Sequence, residues 1–191
     1  DLVKRKQYLW PELYQEAQEI NKQYNGNKLT SNDIDKMIKL DSFVKESLRF
    51  NTPIIDLPHK CISKSCYTFA NGYQIPSGRI VSINFCDTNN DEELQGQNPT
   101  EFCAYRHLER NSPAAKIERN FLIFGGGKHA CPARNFAVKK IKIFMHEILL
   151  KYDVKINNEE IKSKRRYLGP YPMPVNADLV FEKDFIWDDI N

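Results

Sequence analysis
The sequence predicts a mainly helical α+β chain that carries small β-sheets. Three observations carry that expectation: a long amphipathic run from Arg134 to Tyr152, two earlier runs of helical period, and an Asn71-Gly72 pair between strand-like segments. The first helical run spans Pro11 to Tyr24, where Leu13, Ala17, Ile20 and Tyr24 share one face, Pro11 suits the start and Gly26 the stop. A second helix is capped by Thr30 or Ser31, with Asp33 as reciprocal partner of Thr30, and runs to about Phe50. Its stripe of Ile34, Met37, Ile38, Phe43, Val44 and Leu48 implies burial over much of its circumference.

The stretch "YTFANGYQIPSGRIVSINF" then reads as a hairpin turning at Asn71-Gly72, followed by a turn at Pro76 and Gly78 and a strand around Ile80 to Phe85. Residues 87 to 120 show no sustained period but hold Leu94, Phe102, Tyr105 and Leu108, so they are expected to form an ordered meander. In the last long helix, Ala137, Ile141, Phe144, Met145, Ile148, Leu149 and Tyr152 line one face, while Lys139, Lys140, Lys142 and Lys151 occupy others. The tail, with "YLGPYPMPV" and "DLVFEKDF", suits turns and a last short strand or two.

With 191 residues and 41% hydrophobic content, the chain is long enough for one good core or for part of a larger one. Its 28 basic and 25 acidic residues leave a net charge of +3, too balanced to argue for nucleic acid. The cysteines Cys61, Cys66, Cys86, Cys103 and Cys131 are odd in number and lack framework spacing, which favours a reducing compartment; Cys61 and Cys66 do not make a zinc ribbon. No apolar run approaches the roughly 18 residues of a spanning helix. A first residue of Asp1 is consistent with a piece of a longer protein.

The chemistry concentrates in "FLIFGGGKHACPARNFAV", Phe121 to Val138. Glycines at 125 to 127 permit positive φ and close approach of another group. A cysteine just before a helix meets unpaired N–H groups and the positive dipole end, which favour a thiolate, either nucleophile or metal ligand. A phosphate loop is excluded, because "GGGKHA" lacks the spacing and the hydroxyl after lysine. A cysteine hydrolase would need His129 or His146 as base, yet His129 lies two residues from Cys131 and no oxyanion arrangement is evident. A buried structural cysteine in a glycine turn stays open on the residues alone.

"FGGGKHACPA" resembles the haem-binding loop of the cytochrome P-450 family at each restricted position: Phe124, Gly127, the basic His129, Cys131 and Ala133. The resemblance implies that Cys131 is the proximal thiolate ligand of the iron of haem b and pushes electron density toward O–O cleavage. It places Phe124 beside the sulfur, gives Gly127 a backbone bulge that aims N–H groups at it, and pairs His129 with a propionate. "KESLR" resembles the family's ExxR signature, with Glu46 and Arg49 on one helix face, and "NPTEFCAYRHLE" supplies Arg106 as the expected third member of a Glu-Arg-Arg cluster. "NTPIIDLPHKCI" resembles the segment that lines the pocket and then reaches haem, which marks His59 for a propionate and Ile54, Ile55 and Leu57 for substrate contact; Leu168 to Met173 resemble the last substrate turn.

The family is a haem-dependent monooxygenase family that inserts one atom of O₂ into a substrate, here expected to be a hydrophobic small molecule. The resemblance covers residues 1 to 191 as the C-terminal part of one such domain, with the oxygen-activating helix and the membrane anchor expected to precede it; for the parent it implies the cytosolic face of the endoplasmic reticulum membrane. A truncated, non-catalytic fragment and a haem-thiolate isomerase or dehydratase are the alternatives. From Lys116 to Lys155, nine basic residues (Lys116, Arg119, Lys128, Arg134, Lys139, Lys140, Lys142, Lys151, Lys155) face the acids Glu118, Glu147 and Asp153. This run marks a basic proximal face where an electron-donating reductase would dock.

Overall fold
A computed structural model describes residues 6–23, 29–51, 56–157, 167–168, 171–172 and 179–183. Helix α1 spans Lys6–Gln23 and buries Trp10, Leu13, Ala17 and Ile20 along one face. Pro11 lies inside this helix instead of opening it. The lost hydrogen bond falls near the N-terminal end, where burying Leu9 and Trp10 offsets it. Tyr24 and Gly26 lie outside the described residues.

The second expected helix is two helices, α2 (Ser31–Asp35) and α3 (Ile38–Phe50). Thr30 opens α2 as the sequence implied, its N–H and its hydroxyl both donating to the Asp33 carboxylate, at 2.8 and 2.6 Å. The chain breaks at Met37, whose ψ of 78° departs from the helix and turns its side chain into the core at 1% exposure. The freed N-terminus of α3 is capped from outside: the Glu16 carboxylate on α1 accepts the N–H groups of Lys39 and Leu40 at 2.8 and 2.9 Å.

Among the described residues, four antiparallel two-stranded sheets follow. Strand β1 (Asp56–Lys60) pairs with β4 (Ile80–Asn84), and β2 (Cys66–Thr68) pairs with β3 (Gln74–Pro76) around the Asn71-Gly72 turn, where Gly72 takes φ +87°. Strand β5 (Tyr152–Ile156) pairs with β8 (Leu179–Lys183), and β6 (Tyr167–Leu168) with β7 (Tyr171–Pro172). The meander contains two short helices that the sequence did not announce, α4 (Phe85–Asn90) and α5 (Glu92–Gln95); each is opened by a side chain, Asn84 and Asp91 respectively, that accepts a first-turn N–H. Phe102 anchors the meander against α3, edge-on to Phe43 at 5.9 Å and to Phe50 at 5.8 Å between ring centroids.

Helix α6 (Arg134–Lys151) rests on α1, α2 and α3, but on a different face from the one its pattern suggested. Val138, Lys142, His146, Ile148 and Leu149 are buried, whereas Phe144 is 61% exposed. The reason is Asp41 on α3, which stands 3.1 Å from the Lys142 ammonium and lets a lysine replace an apolar residue in the contact.

Candidate functional site
The loop ahead of α6 is shaped by backbone geometry. Gly125 and Gly127 take φ of +73° and +56°, the left-handed region that favours glycine. A short 3₁₀ turn over Gly127–His129 then returns the chain, so that the Cys131 N–H donates to the Phe124 carbonyl at 2.7 Å. Phe124 stands edge-on to the buried Phe121, 6.2 Å between centroids. Arg134 ties the loop to the meander through hydrogen bonds to the Cys131 carbonyl at 3.0 Å and the Ala115 carbonyl at 3.1 Å. Cys131 is a free, half-buried thiol three residues before α6.

The buried centre of the fold is Glu46. Its carboxylate accepts two bonds from Arg49 at 2.8 Å each, one from Arg106 Nε at 3.1 Å and one from the Cys103 N–H at 2.9 Å. The arginines reach on to meander carbonyls, Arg49 to Asn89, Pro99 and Glu101, and Arg106 to Gln95, Gln97, Asn98 and Glu101. Burial would raise the Glu46 pKa; the donors from Arg49, His107 and Cys103 outweigh it and hold the carboxyl well below the usual range.

His107 is a member that sequence reasoning missed. Its Nε2 lies 3.2 Å from Glu46 and its backbone N–H donates to the Ser42 hydroxyl at 3.2 Å. Ser42 and Glu46 are four apart on α3, a spacing that presents one polar face inside an otherwise apolar stripe and could have called for a partner. Burial pushes the His107 pKa down from 6.5 while Glu46 pulls it back. Unfolded, His107 titrates near 6.5 and Glu46 near 4.5; folded, both titrate lower, so the unfolded chain binds more protons in both windows. Stability is therefore expected to fall on acidification, first below about pH 6.5 and again below about pH 4.5, while Glu16, raised by burial, takes up its proton above 4.5 and so opposes the first step. Denaturation midpoints of His107→Gln across this range should show the first step reduced, with the buried His146 supplying what remains; an unchanged first step would contradict the assignment.

The other expected residues are more dispersed. His129 is exposed on the 3₁₀ turn. His59 is exposed on β1, opposite Val81, with Nδ1 3.1 Å from the Leu57 carbonyl. Leu57 is half-buried on β1; Ile54, Ile55 and Met173 lie outside the described residues, as do Gly169 and Pro170, while Leu168 sits on β6 and Tyr171 and Pro172 on β7. The basic run is less free than its composition implied. Lys116, Lys139, Lys142, Lys151 and Lys155 each meet a carboxylate, of Glu118, Asp35, Asp41, Glu147 and Glu182, and three of these acids lie outside the run. Arg119, Lys128 and Lys140 stay exposed.

Among the described residues no group of three or more His, Cys, Asp or Glu stands ready to hold a metal ion, so Cys131 would act as a single ligand. One thiolate suits a metal that brings its other donors with it, as a porphyrin does. The loop has room for such a plane: a Cβ on Gly126 or Gly127 would meet nothing within 4 Å.

The family model described as Cytochrome P-450 matches residues 8–172. A cytochrome P-450 monooxygenase of Aspergillus terreus, ataF, is 30% identical over 96% of this chain and 38% of its own length. A cytochrome P-450 monooxygenase of Penicillium janthinellum, janQ, is 31% identical over 91% of this chain and 35% of its own. The chain thus spans little more than a third of these relatives. Among solved structures, a cyanobacterial CYP120A1 with retinoic acid bound superposes with a TM-score of 0.75 at 23% identity, over 95% of this chain and 40% of that one. With a family model over most of its length, curated relatives at 30% identity and a matching fold, the chain belongs to the cytochrome P-450 family.

Proposed function
We propose that this chain is the C-terminal part of a haem-thiolate monooxygenase domain and that Cys131 is the axial ligand of haem b. The observation that carries this reading is the Cys131 loop itself: two left-handed glycines, an open glycine face and a cysteine N–H held by the Phe124 carbonyl. Haem bound there supplies the oxygen chemistry of the family, insertion of one atom of O₂ into a substrate, for which a hydrophobic small molecule fits best. Phe124 and Gly127 set the surroundings of the sulfur; His129 and His59 are the propionate partners. Glu46, Arg49 and Arg106 brace the meander beneath the loop. Of the basic run, Arg119, Lys128 and Lys140 are left to meet an electron-donating reductase. No helix among the described residues is long and apolar enough to cross a membrane, so attachment of the whole protein to the endoplasmic reticulum would rest on other residues.

The test is the ferrous carbon monoxide spectrum of the polypeptide as its host expresses it. The strongly red-shifted Soret band of thiolate-ligated haem is expected in the wild type and lost in Cys131→Ser. Haem uptake without that band in the wild type would refute the ligand; no uptake at all would favour the reading of a non-catalytic fragment.

A further inference from the structure
Neighbouring residues on a helix point about 100° apart, so Lys45 leaves α3 in a different direction from Glu46 and reaches the opposite end of the meander. Its side chain is 0% exposed. The ammonium donates to the Glu118 carboxylate at 2.9 Å, to the Ser112 carbonyl at 3.2 Å and to the Ser112 hydroxyl, which itself donates to Glu118. All three of its donors are thereby used. The same ammonium stands 4.8 Å from the centre of the Phe121 ring.

We propose that Lys45 is a positioning residue for the Cys131 loop, a second buried anchor on α3 that acts separately from the Glu46 cluster. The path is short. Glu118 faces Phe121 across an isolated β-bridge, the Phe121 N–H donating to the Glu118 carbonyl at 3.1 Å, so one residue is held by its backbone and the other by the lysine through its ring. Phe121 meets Phe124 edge-on, and Phe124 accepts the Cys131 N–H. Lys45 thus sets the far side of the loop, while Glu46 sets the start of the meander at Cys103 and Arg106. Charge keeps the anchor in place: burial alone would raise the Glu118 pKa, but bonds from Lys116, Lys45 and Ser112 push it down to about 2, so the carboxylate stays ionised around neutrality; burial pulls the Lys45 pKa below its ordinary value, and the Glu118 carboxylate opposes that pull.

The proposal takes Cys131 as the haem ligand from the reading above, and the experiment separates the two. In the haem-free polypeptide as its host expresses it, amide hydrogen exchange is followed from Phe121 to Cys131 and at Cys103. In Lys45→Met the loop amides are expected to exchange about tenfold faster while Cys103 keeps its protection. Glu118→Gln retains a hydrogen-bond acceptor but loses the charge, and should speed the same amides about threefold, carrying the test should Lys45→Met fail to fold. With haem, both variants should shift ferrous carbon monoxide spectra away from the red-shifted thiolate band at equal haem content. Loop exchange unchanged in the folded variants, or raised equally at Cys103, overturns the anchor whatever the spectra show. A wild type without the band, with loop exchange still faster in the variants, overturns the haem reading and leaves the anchor standing.

Discussion

Glu46→Ala is expected to cost the chain about 3–5 kcal/mol and to prevent stable haem uptake, although Glu46 belongs to α3 and Cys131 to a loop 85 positions later. The cost comes from what is left behind. Arg49 is 2% exposed, and with the carboxylate gone it keeps only carbonyl acceptors for a full positive charge. Arg106, His107 and the Cys103 N–H lose the same acceptor. The intact cluster need not add much net stability, since taking a carboxylate and two guanidiniums out of water offsets their attraction. Its product is geometry: one carboxylate fixes two arginines, and those arginines fix the carbonyls of residues 89 to 101. Glu46→Gln is expected to fall between, because its amide oxygen still accepts while its NH₂ faces donors. Guanidinium midpoints of the haem-free polypeptide measure the first effect and haem content the second. A Glu46→Ala midpoint within about 0.5 kcal/mol of wild type would show that the meander holds itself.

What the sequence revealed of this cluster was the part written at short range. Glu46 and Arg49 share a face by their spacing, and the Gly-Cys loop is continuous, so both stand out in the sequence alone. His107 and Lys45 did not, because their partners are distant: Glu46 is 61 positions from His107, and Glu118 is 73 from Lys45. A charged residue on an apolar helix reads as solvated until the partner that buries it is known. The break between α2 and α3 was hidden for a related reason. Its sequence has neither glycine nor proline; the bend is made by burial of Met37 and by a cap, Glu16, that comes from another helix. Strand β1 escaped notice because Pro58 interrupts its pattern, which the edge pairing with β4 tolerates.

Helix α6 shows the same effect at its largest, and it yields a sharp asymmetry between two substitutions. Periodicity put Ile141 and Phe144 inward and Lys142 among the solvated lysines; the fold buries Lys142 to 2% and leaves Phe144 outside. Asp41 is what makes the difference, since one oxygen meets the Lys142 ammonium at 3.1 Å and the other accepts the Ala114 N–H at 2.7 Å. Asp41→Ala is therefore expected to destabilise by about 3 kcal/mol, leaving a buried ammonium and a meander N–H without acceptors. Lys142→Met should cost no more than about 1 kcal/mol, because its stem already lies in an apolar contact and Asp41, which is partly exposed, keeps Ala114 and water. The double variant Asp41→Ala with Lys142→Met should cost less than the two single changes added together, the signature of a direct coupling. Equal losses for Asp41→Ala and Lys142→Met, with strict additivity in the double variant, would mean that the helices are held by their apolar contacts alone and that the ion pair is a passenger.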